Sequence, residues 1–406
     1  MKAFPSIRRR VAAVLLCASA LAGACAAAPA PGGGAAAPAF GWSALADVGF
    51  QNLTTESGLP HSVVDGIAQD GAGFIWMRTE DGLARWDGYR FQVYRHVDND
   101  PRSVPANVWS GPDVDARGRL WFGTGSGELA TYDAAADAFV RLPGFALGSA
   151  DTAVTKVFDD GPRRLLVGTL RGLYRVELGD TPGDRVRAVA LEAGVPPVAV
   201  TSICRDAQGR TWVGTHEGLF FRGPGGTAFE RFVLPGSDRA VDVFLPTPDA
   251  LWISRLHELH VMDLRTLAVR EVTSVRPILE SLKSPATGIV QADARHVWVA
   301  NSNGIASIDL ASFAATRVQH DPLRPGSLLT DDVHTLFRDR SGLVWAAGAG
   351  GVSVHDPSHP AIASISGAGS VMAIQALPDG RVLLGDNRSG ATTLHVAGEG
   401  GAAGRL

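Results

Sequence analysis

The chain has 406 residues, of which 45% are hydrophobic and 19% are charged, with 48 glycines and 24 prolines. This composition supports a folded core with many turns, and it excludes collagen-like and disordered chains. The formal net charge of −4 at pH 7 argues against nucleic acid as a partner.

The first 24 residues have the three parts of an export signal. Basic residues lie near the start (Lys2 and residues 8–10), an apolar stretch covers residues 11–21, and small residues follow at 22–24. The apolar stretch is too short to span a membrane stably. We therefore predict a signal peptide over residues 1–24 and a periplasmic protein.

The next segment, residues 25–44, is rich in Ala, Pro and Gly, which predicts a flexible linker. It begins with Cys25, whose position also resembles the lipidated cysteine of lipoproteins. A lipid anchor at Cys25 is therefore the alternative to ordinary export. Farther along, Cys204 lies in the apolar run 200–204, which predicts a packed thiol rather than a reactive one.

A tryptophan or an apolar stand-in recurs through the rest of the chain at intervals of 39 to 47 residues. The recurring residues are Trp76, Trp121, Leu166, Trp212, Trp252, Trp298, Trp345 and Leu384. Each interval holds about four short β-type runs, which in the first repeat are residues 63–68, 74–78, 83–86 and 91–94. Four short strands per repeat of this length are typical of a β-propeller blade.

Other recurring residues have structural explanations. An Asp-x-x-Gly motif before the tryptophan predicts a tight turn, because glycine tolerates positive φ. A Gly-Thr pair after it, as in Gly214-Thr215, predicts a small residue where neighbouring blades crowd. The carboxylate pairs Asp159-Asp160 and Asp331-Asp332 fall in turns, and we expect them to be exposed.

We predict an all-β fold, a propeller of seven four-stranded blades over residues 45–357. Residues 50–54 are suited to form the outer strand of the last blade, which hides the sheet edges. Residues 358–406 then remain as a partial extra blade without its own outer strand, and one interpretation is that they begin a second propeller. The alternative is a single ring of eight blades.

The run GLPHSVVDGIAQDGAGFIWMRTEDGLARWDGYRF (residues 58–91) resembles the two-component regulator propeller repeats. Later blades share its G-x-x-W-x-G-T-x-x-G-L pattern. In that family such repeats form the periplasmic sensor region of hybrid histidine kinases and some diguanylate cyclases. The resemblance implies a ligand-sensing propeller with a membrane signalling partner. Because no kinase or cyclase motif is present, we expect the output domain to be missing here, in either a truncated sensor or a stand-alone periplasmic propeller.

Ligands of propellers usually bind at the loops that surround one end of the channel. Spacing from the tryptophans assigns twelve residues to the turns between second and third strands at that end. They are Arg78, Glu80, Asp81, Ser126, Glu128, Arg171, His216, Glu217, Arg255, His257, Asn301 and Asn303. Their charges and amides predict a small-molecule or oligosaccharide ligand, with a glycan fragment as the leading choice.

Two other functions stay open at this point. A metal-dependent propeller lyase would use His216, Glu217, His257 and His260. However, a His pair spaced i, i+3 on a strand points to opposite faces, so we expect no metal site and no cofactor. No nucleophile elbow or phosphate loop indicates catalysis, and we expect a binding protein rather than an enzyme. The other alternative is a protein-interaction scaffold.

Overall fold

The computed structural model describes residues 48–106, 108–147, 152–179, 185–235, 240–280, 285–358, 371–376, 382–388, 391–397 and 403–405. The predicted signal peptide, Cys25 and the predicted linker lie outside the described residues. Among the described residues, no helix is long and apolar enough to cross a membrane.

Seven four-stranded antiparallel sheets form a ring, which confirms the predicted seven-bladed β-propeller. In blades 1 to 6 the strands follow chain order from the channel to the rim. The strands of blades 1 to 3 are Val64–Gln69, Ile75–Thr79, Gly82–Trp86 and Phe91–Tyr94; Val108–Val114, Leu120–Thr124, Glu128–Asp133 and Ala138–Ala146; Val154–Asp159, Arg164–Thr169, Gly172–Leu178 and Val186–Leu191.

The remaining blades have the same plan, with outer strands of three or four residues. The strands of blades 4 to 6 are Val200–Arg205, Thr211–Thr215, Gly218–Arg222 and Glu230–Phe232; Phe244–Pro246, Ala250–Arg255, Glu258–Asp263 and Val269–Glu271; Gly288–Gln291, His296–Asn301, Gly304–Asp309 and Ala315–Val318. The first three strands of blade 7 are Val333–Arg338, Val344–Gly348 and Gly351–His355. Helices among the described residues are one short α-helix, Arg276–Glu280, and the 3-10 turns Thr55–Ser57 and Thr273–Val275.

The ring closes at blade 7, as the sequence predicts. Gln51–Leu53 supplies the fourth strand and pairs with Gly351–His355, with Leu53 opposite Val352. The first strand of blade 7 also packs beside that of blade 1. Because this pairing completes the seventh blade, the alternative ring of eight blades is wrong.

The eighth repeat forms a sheet in a unit separate from the ring. Its strands are Val371–Ala376, Val382–Arg388, Ala391–Ala397 and Ala403–Arg405. The fourth strand pairs with the third, with His395 opposite Arg405, so the expectation of a missing outer strand is wrong. This strand escapes sequence analysis because Ala403 and Gly404 provide no apolar alternation to recognise.

Blade 4 shows how the recurring residues hold a blade together. The Asp206 carboxylate accepts hydrogen bonds from the backbone N–H of Gln208 and Arg210, both 2.9 Å, and from the Trp212 indole at 2.8 Å. Gly209 takes φ +78° in the turn, as predicted for Asp-x-x-Gly. The same indole-to-aspartate bond recurs in blades 1, 2 and 7, from Trp76 to Asp70, Trp121 to Asp115 and Trp345 to Asp339.

The predicted role of the small residue after the tryptophan is also confirmed. A Cβ atom added to Gly123 would lie 2.4 Å from Val154 of the next blade, and one on Gly168 would lie 2.7 Å from Val200. Neighbouring blades therefore approach too closely for a side chain at this position. Cys204 is buried in the apolar cluster between blades 4 and 5, as predicted, and burial raises the pKa of its thiol.

Blade 3 keeps the aspartate of the motif but has Leu166 in place of the tryptophan. The Asp160 carboxylate instead contacts Arg164 at 2.7 Å, Arg205 at 2.6 Å and Arg222 of blade 4 at 2.7 Å. Asp160 is only 4% exposed, so the expectation of an exposed pair is wrong for this residue. A buried carboxylate needs partners, and arginines replace the missing indole donor.

Candidate ligand-binding site at the channel mouth

The ring has two faces that differ in their loops. Turns between second and third strands, together with the connections between blades, lie on what we call the upper face. Turns between first and second strands and between third and fourth strands lie on the lower face. All twelve residues predicted to bind a ligand lie at or beside upper-face turns, one set in each of blades 1 to 6.

Most of these twelve residues make hydrogen bonds in or near their turns, some through the side chain and some through the backbone N–H alone. Asp81 accepts two hydrogen bonds from Arg95 of the same blade, at 2.9 and 2.7 Å. Ser126 and Glu128 bond to each other at 3.2 Å. The backbone N–H groups of Arg171 and Glu217 donate to the hydroxyls of Thr169 and Thr215. His216 donates its backbone N–H to Ala199, and the backbone N–H of Asn303 donates to the Asn301 side chain.

Arg255 and Asn301 are buried, at 1% and 2% exposure. They occupy the last position of the second strand, where other blades carry buried threonines such as Thr215. The Arg255 guanidinium bonds to Glu258 at 2.7 Å. A ligand on the upper face therefore reaches neither side chain without rearrangement.

The first strands, which border the channel, carry a shared irregularity. In five blades a β-bulge lies one residue after the start of the first strand. The bulged residues are Asp65, Trp109, Thr155, Thr201 and His334, and Asp242 and Thr287 hold the same position in blades 5 and 6. Bulges redirect side chains and often lie beside functional sites.

The threonines at this position have a structural role. The Thr155 hydroxyl donates to the Val200 carbonyl of the next blade at 2.7 Å, and Thr287 donates to Val333 at 2.6 Å. Thr201 donates to the Val241 carbonyl in the same way. Each threonine thus ties its blade to the next one around the channel.

Blades 7, 1 and 2 are consecutive, and none of them has this threonine. They carry His334, Asp65 and Trp109 instead. Trp109 is 55% exposed although it lies on an innermost strand. The first strands of blades 1 and 2 are very close here, since a Cβ on Gly66 would lie 2.3 Å from the Gly111 carbonyl oxygen. One sector of the channel therefore has ionisable and aromatic side chains where blades 3, 4 and 6 have ties, and blade 5, outside this sector, has Asp242.

Arg78 joins this sector from the second strand of blade 1. The other blades have a small residue at its position: Gly123, Gly168, Gly214, Ser254, Ala300 and Ala347. The Arg78 guanidinium lies 3.0 Å from the Asp65 carboxylate, and the two side chains are 20% and 30% exposed. We call Asp65, Arg78, Trp109 and His334 the channel-mouth cluster.

The charges of this cluster are incompletely compensated. The buried Nε of Arg78 has no hydrogen-bond partner among the described residues. Burial lowers the pKa of the Arg78 guanidinium, and Asp65 opposes that shift. Burial also raises the pKa of the Asp65 carboxyl, against the lowering effects of Arg78 and His334. Glu80 of the upper-face turn adds a further negative charge close enough to raise that pKa.

Sequence analysis found only Arg78 of this cluster, with Glu80 beside it. Asp65, Trp109 and His334 were missed because the search was limited to turns, whereas these residues lie on strands. The available signal was the residue about 11 positions before each recurring tryptophan or Leu166, which is threonine in blades 3, 4 and 6 and varies elsewhere.

The candidate metal ligands do not come together. The described residues contain no group of three His, Cys, Asp or Glu side chains that could hold a metal ion. His260 is 3% exposed and contacts the Glu258 carboxylate at 3.2 Å. Burial lowers the pKa of its imidazole.

The repeat itself matches a known family. Residues 194–217 match the family model described as "Two component regulator propeller". They are the blade 4 counterpart of residues 58–81, which lie in the run that carries the resemblance. The resemblance to the two-component regulator propeller repeats is therefore confirmed. A stretch of 55 residues, 14% of this chain, is 40% identical to part of Histidine kinase P4 from Formosa agariphila and covers 4% of that protein.

Solved structures share the fold at low sequence identity. The extracellular domain of the putative hybrid two component system BT3049 from B. thetaiotaomicron has a TM-score of 0.66 and 20% identity over 88% of this chain and 48% of that chain. The corresponding domain of BT4673 has a TM-score of 0.63 and 20% identity, over 88% and 47%. Virginiamycin B lyase from Staphylococcus aureus has a TM-score of 0.56 and 13% identity, over 75% and 98%.

These likenesses show the fold alone, because a propeller hosts both sensors and enzymes. The chain spans about half the length of the two extracellular domains and a small part of the curated histidine kinase.

Proposed function

We propose that this chain is the ligand-sensing propeller of a two-component-type signalling system, and that its ligand binds at the channel-mouth cluster. The observation that carries the proposal is the exchange of scaffold residues in one sector. Blade 5 also lacks the threonine tie, but only here do three consecutive blades lack it, and only here does an arginine, Arg78, stand where the other blades have a small residue. A charged pair at a packing position reduces stability, and such costs are commonly accepted at functional sites.

The ligand class that fits the cluster is a glycan fragment. The indole of Trp109 offers an exposed flat surface for the C–H face of a sugar ring. Asp65 accepts and Arg78 donates hydrogen bonds in fixed planes, which suits neighbouring hydroxyl groups. His334 and Glu80 stand close enough to influence the Asp65 charge, so they belong to the same site.

The predicted export signal and the relatives support a proposed location and a proposed partner. The named structural relatives are extracellular domains of hybrid two-component systems. We propose that this propeller likewise acts outside the cytoplasm and passes its signal to a membrane signalling partner. We do not propose a lyase function, because the likeness to virginiamycin B lyase is a likeness of fold.

The proposed ligand site is tested by calorimetry, which measures the affinity, and by tryptophan fluorescence, which reports whether the ligand contacts Trp109. The full chain is titrated with a panel of neutral and uronate-containing oligosaccharides. We expect at least one fragment to bind and to change the fluorescence of Trp109, because the buried tryptophans of the blades are shielded from solvent. Trp109→Ala should weaken that binding about tenfold.

The control is Tyr89→Ala, which removes an aromatic side chain that is 92% exposed on a lower-face turn of blade 1. Its affinity should equal that of the unaltered protein. A panel without any binding fragment, or equal affinities for Trp109→Ala and the unaltered protein, would contradict the proposed site.

A further inference from the structure

The lower face of blade 3 departs from the blade scaffold at a second position. In blades 1, 2, 4 and 7 the turn after the first strand ends in a glycine with φ between +76° and +104°. Blade 3 has Arg163 there, with φ +92°. An arginine in this left-handed region is sterically strained, whereas glycine is not. Strain of this kind is concentrated at functional sites, although other turns of this chain also hold non-glycine residues with positive φ, such as Leu267 and Phe313.

Arg163 lines a cleft of about 330 Å³ on the lower face. Arg164 and Arg187 line the same cleft, and the acidic side chains among its described lining residues are Asp160 and Glu177. In this described part of the lining, arginines outnumber carboxylates. Half of the Arg164 side chain is exposed, so its guanidinium is accessible from the cleft.

The charge of Asp160 is already balanced from behind the cleft. Arg222 of blade 4 contacts its carboxylate at 2.7 Å and is itself only 8% exposed, and Arg205 contacts it at 2.6 Å. Arg164 is therefore the third cation on one carboxylate. Arg222 also contacts the buried Glu192 at 3.5 Å. Among the described residues three arginines thus face two carboxylates, which leaves positive charge that an anion in the cleft would offset.

We propose that this cleft binds a small oxyanion, such as a sulfate, phosphate or carboxylate group. Guanidinium groups recognise such anions through paired, charge-assisted hydrogen bonds. Arg163, Arg164 and Arg187 are the contacting residues. The cleft lies on the lower face and the channel-mouth cluster near the upper face, so this site is independent of the proposed sensing site.

Calorimetric titration of the full chain with inorganic sulfate and inorganic phosphate, at constant ionic strength set with sodium chloride, tests the proposal. The unaltered protein should bind at least one of the two ions. Arg187→Gln and Arg163→Gly should each weaken that binding about tenfold. A parallel titration with glycerol 1-phosphate shows whether the cleft prefers a free ion or an esterified phosphate group. The proposal is supported whether the inorganic ion or the ester binds more tightly.

Arg163→Gly also gives a readout that does not depend on the anion. It should raise the melting temperature of the anion-free protein by about 2 °C, because glycine removes the backbone strain. The matched control is Arg117→Gln, an exposed arginine in the equivalent turn of blade 2, which should bind as the unaltered protein does. Absence of binding, or equal binding by Arg163→Gly and the unaltered protein, would overturn the proposal. If the Arg187→Gln variant does not fold, anion binding by the Arg163→Gly variant decides the test.

Discussion

Blades 1 and 4 begin with segments that align without a gap, residues 58–81 and 194–217. Gly58 and Gly194 both take positive φ, at +96° and +89°, and Trp76 and Trp212 are both fully buried. The two blades differ at the bulge and across from it. Blade 4 has Thr201 and Gly214 where blade 1 has Asp65 and Arg78.

The difference shows which residues build a blade and which are free to serve another purpose. In blade 4 the threonine ties two blades, and the glycine leaves room for the next blade, since its Cβ would lie 2.9 Å from Phe244. In blade 1 both positions hold a half-buried ion pair. Desolvation consumes much of the attraction in such a pair, so stability alone does not explain it.

The largest expected change in stability comes from removing the turn aspartate of each blade, and it tests whether blades 1 and 4 share one scaffold. Asp70→Ala and Asp206→Ala each remove the carboxylate that binds the turn and the tryptophan indole. Each change should lower the free energy of unfolding by about 3 kcal/mol, because buried donors lose their acceptor. Denaturant unfolding measures both variants.

The control for this pair is Asp98→Ala, whose side chain is 95% exposed and should matter by less than about 0.5 kcal/mol. Asp206 also pairs with Arg210 at 2.6 Å, a contact that Asp70 lacks, so Asp206→Ala should cost at least as much as Asp70→Ala. A clearly smaller cost for Asp206→Ala would contradict the shared scaffold.

A smaller effect concerns Asp242, which holds the bulge position in blade 5. Burial raises the pKa of this carboxyl to about 6, although the Leu256 N–H donates to it. The folded state then holds a proton that the unfolded state has lost, so stability falls as pH rises from about 4 to about 6. Above about pH 6 the stability stays lower by the full cost of burying the ionised Asp242 carboxylate.

Asp242→Asn should therefore raise the free energy of unfolding by about 2 kcal/mol at pH 7.5 and by almost nothing at pH 4. Thermal melts across this pH range measure the effect. Asp249→Asn, which changes an exposed aspartate on the lower face of the same blade, should show no such pH dependence. A stabilisation by Asp242→Asn that is equal at both pH values would refute the role of the buried charge.

The fold was predictable because its signal is periodic. Trp76 and its counterparts mark every blade, and the predicted strands of blade 1 lie within about one residue of those observed. The closing strand was predictable as well, because Gln51–Leu53 precedes the first blade in a position to complete the last.

The site was only partly predictable, because burial at a turn depends on tertiary packing. Arg255 and Asn301 have the spacing of turn residues, yet they occupy a position that points into the blade. Asp65 and Trp109 were missed because the role of the bulge position becomes evident only when the threonine ties of other blades are seen.

The most direct test of the account converts blade 1 to the pattern of blade 6, which has Thr287 and Ala300. The double variant Asp65→Thr with Arg78→Ala is titrated calorimetrically with the best-binding fragment of the oligosaccharide panel. Its control is Asp87→Thr with Arg90→Ala, which removes an exposed ion pair on the lower face of the same blade. The account predicts that the Asp65/Arg78 variant binds more than about tenfold more weakly while its free energy of unfolding rises by about 1 kcal/mol. Affinity equal to that of the control would contradict it.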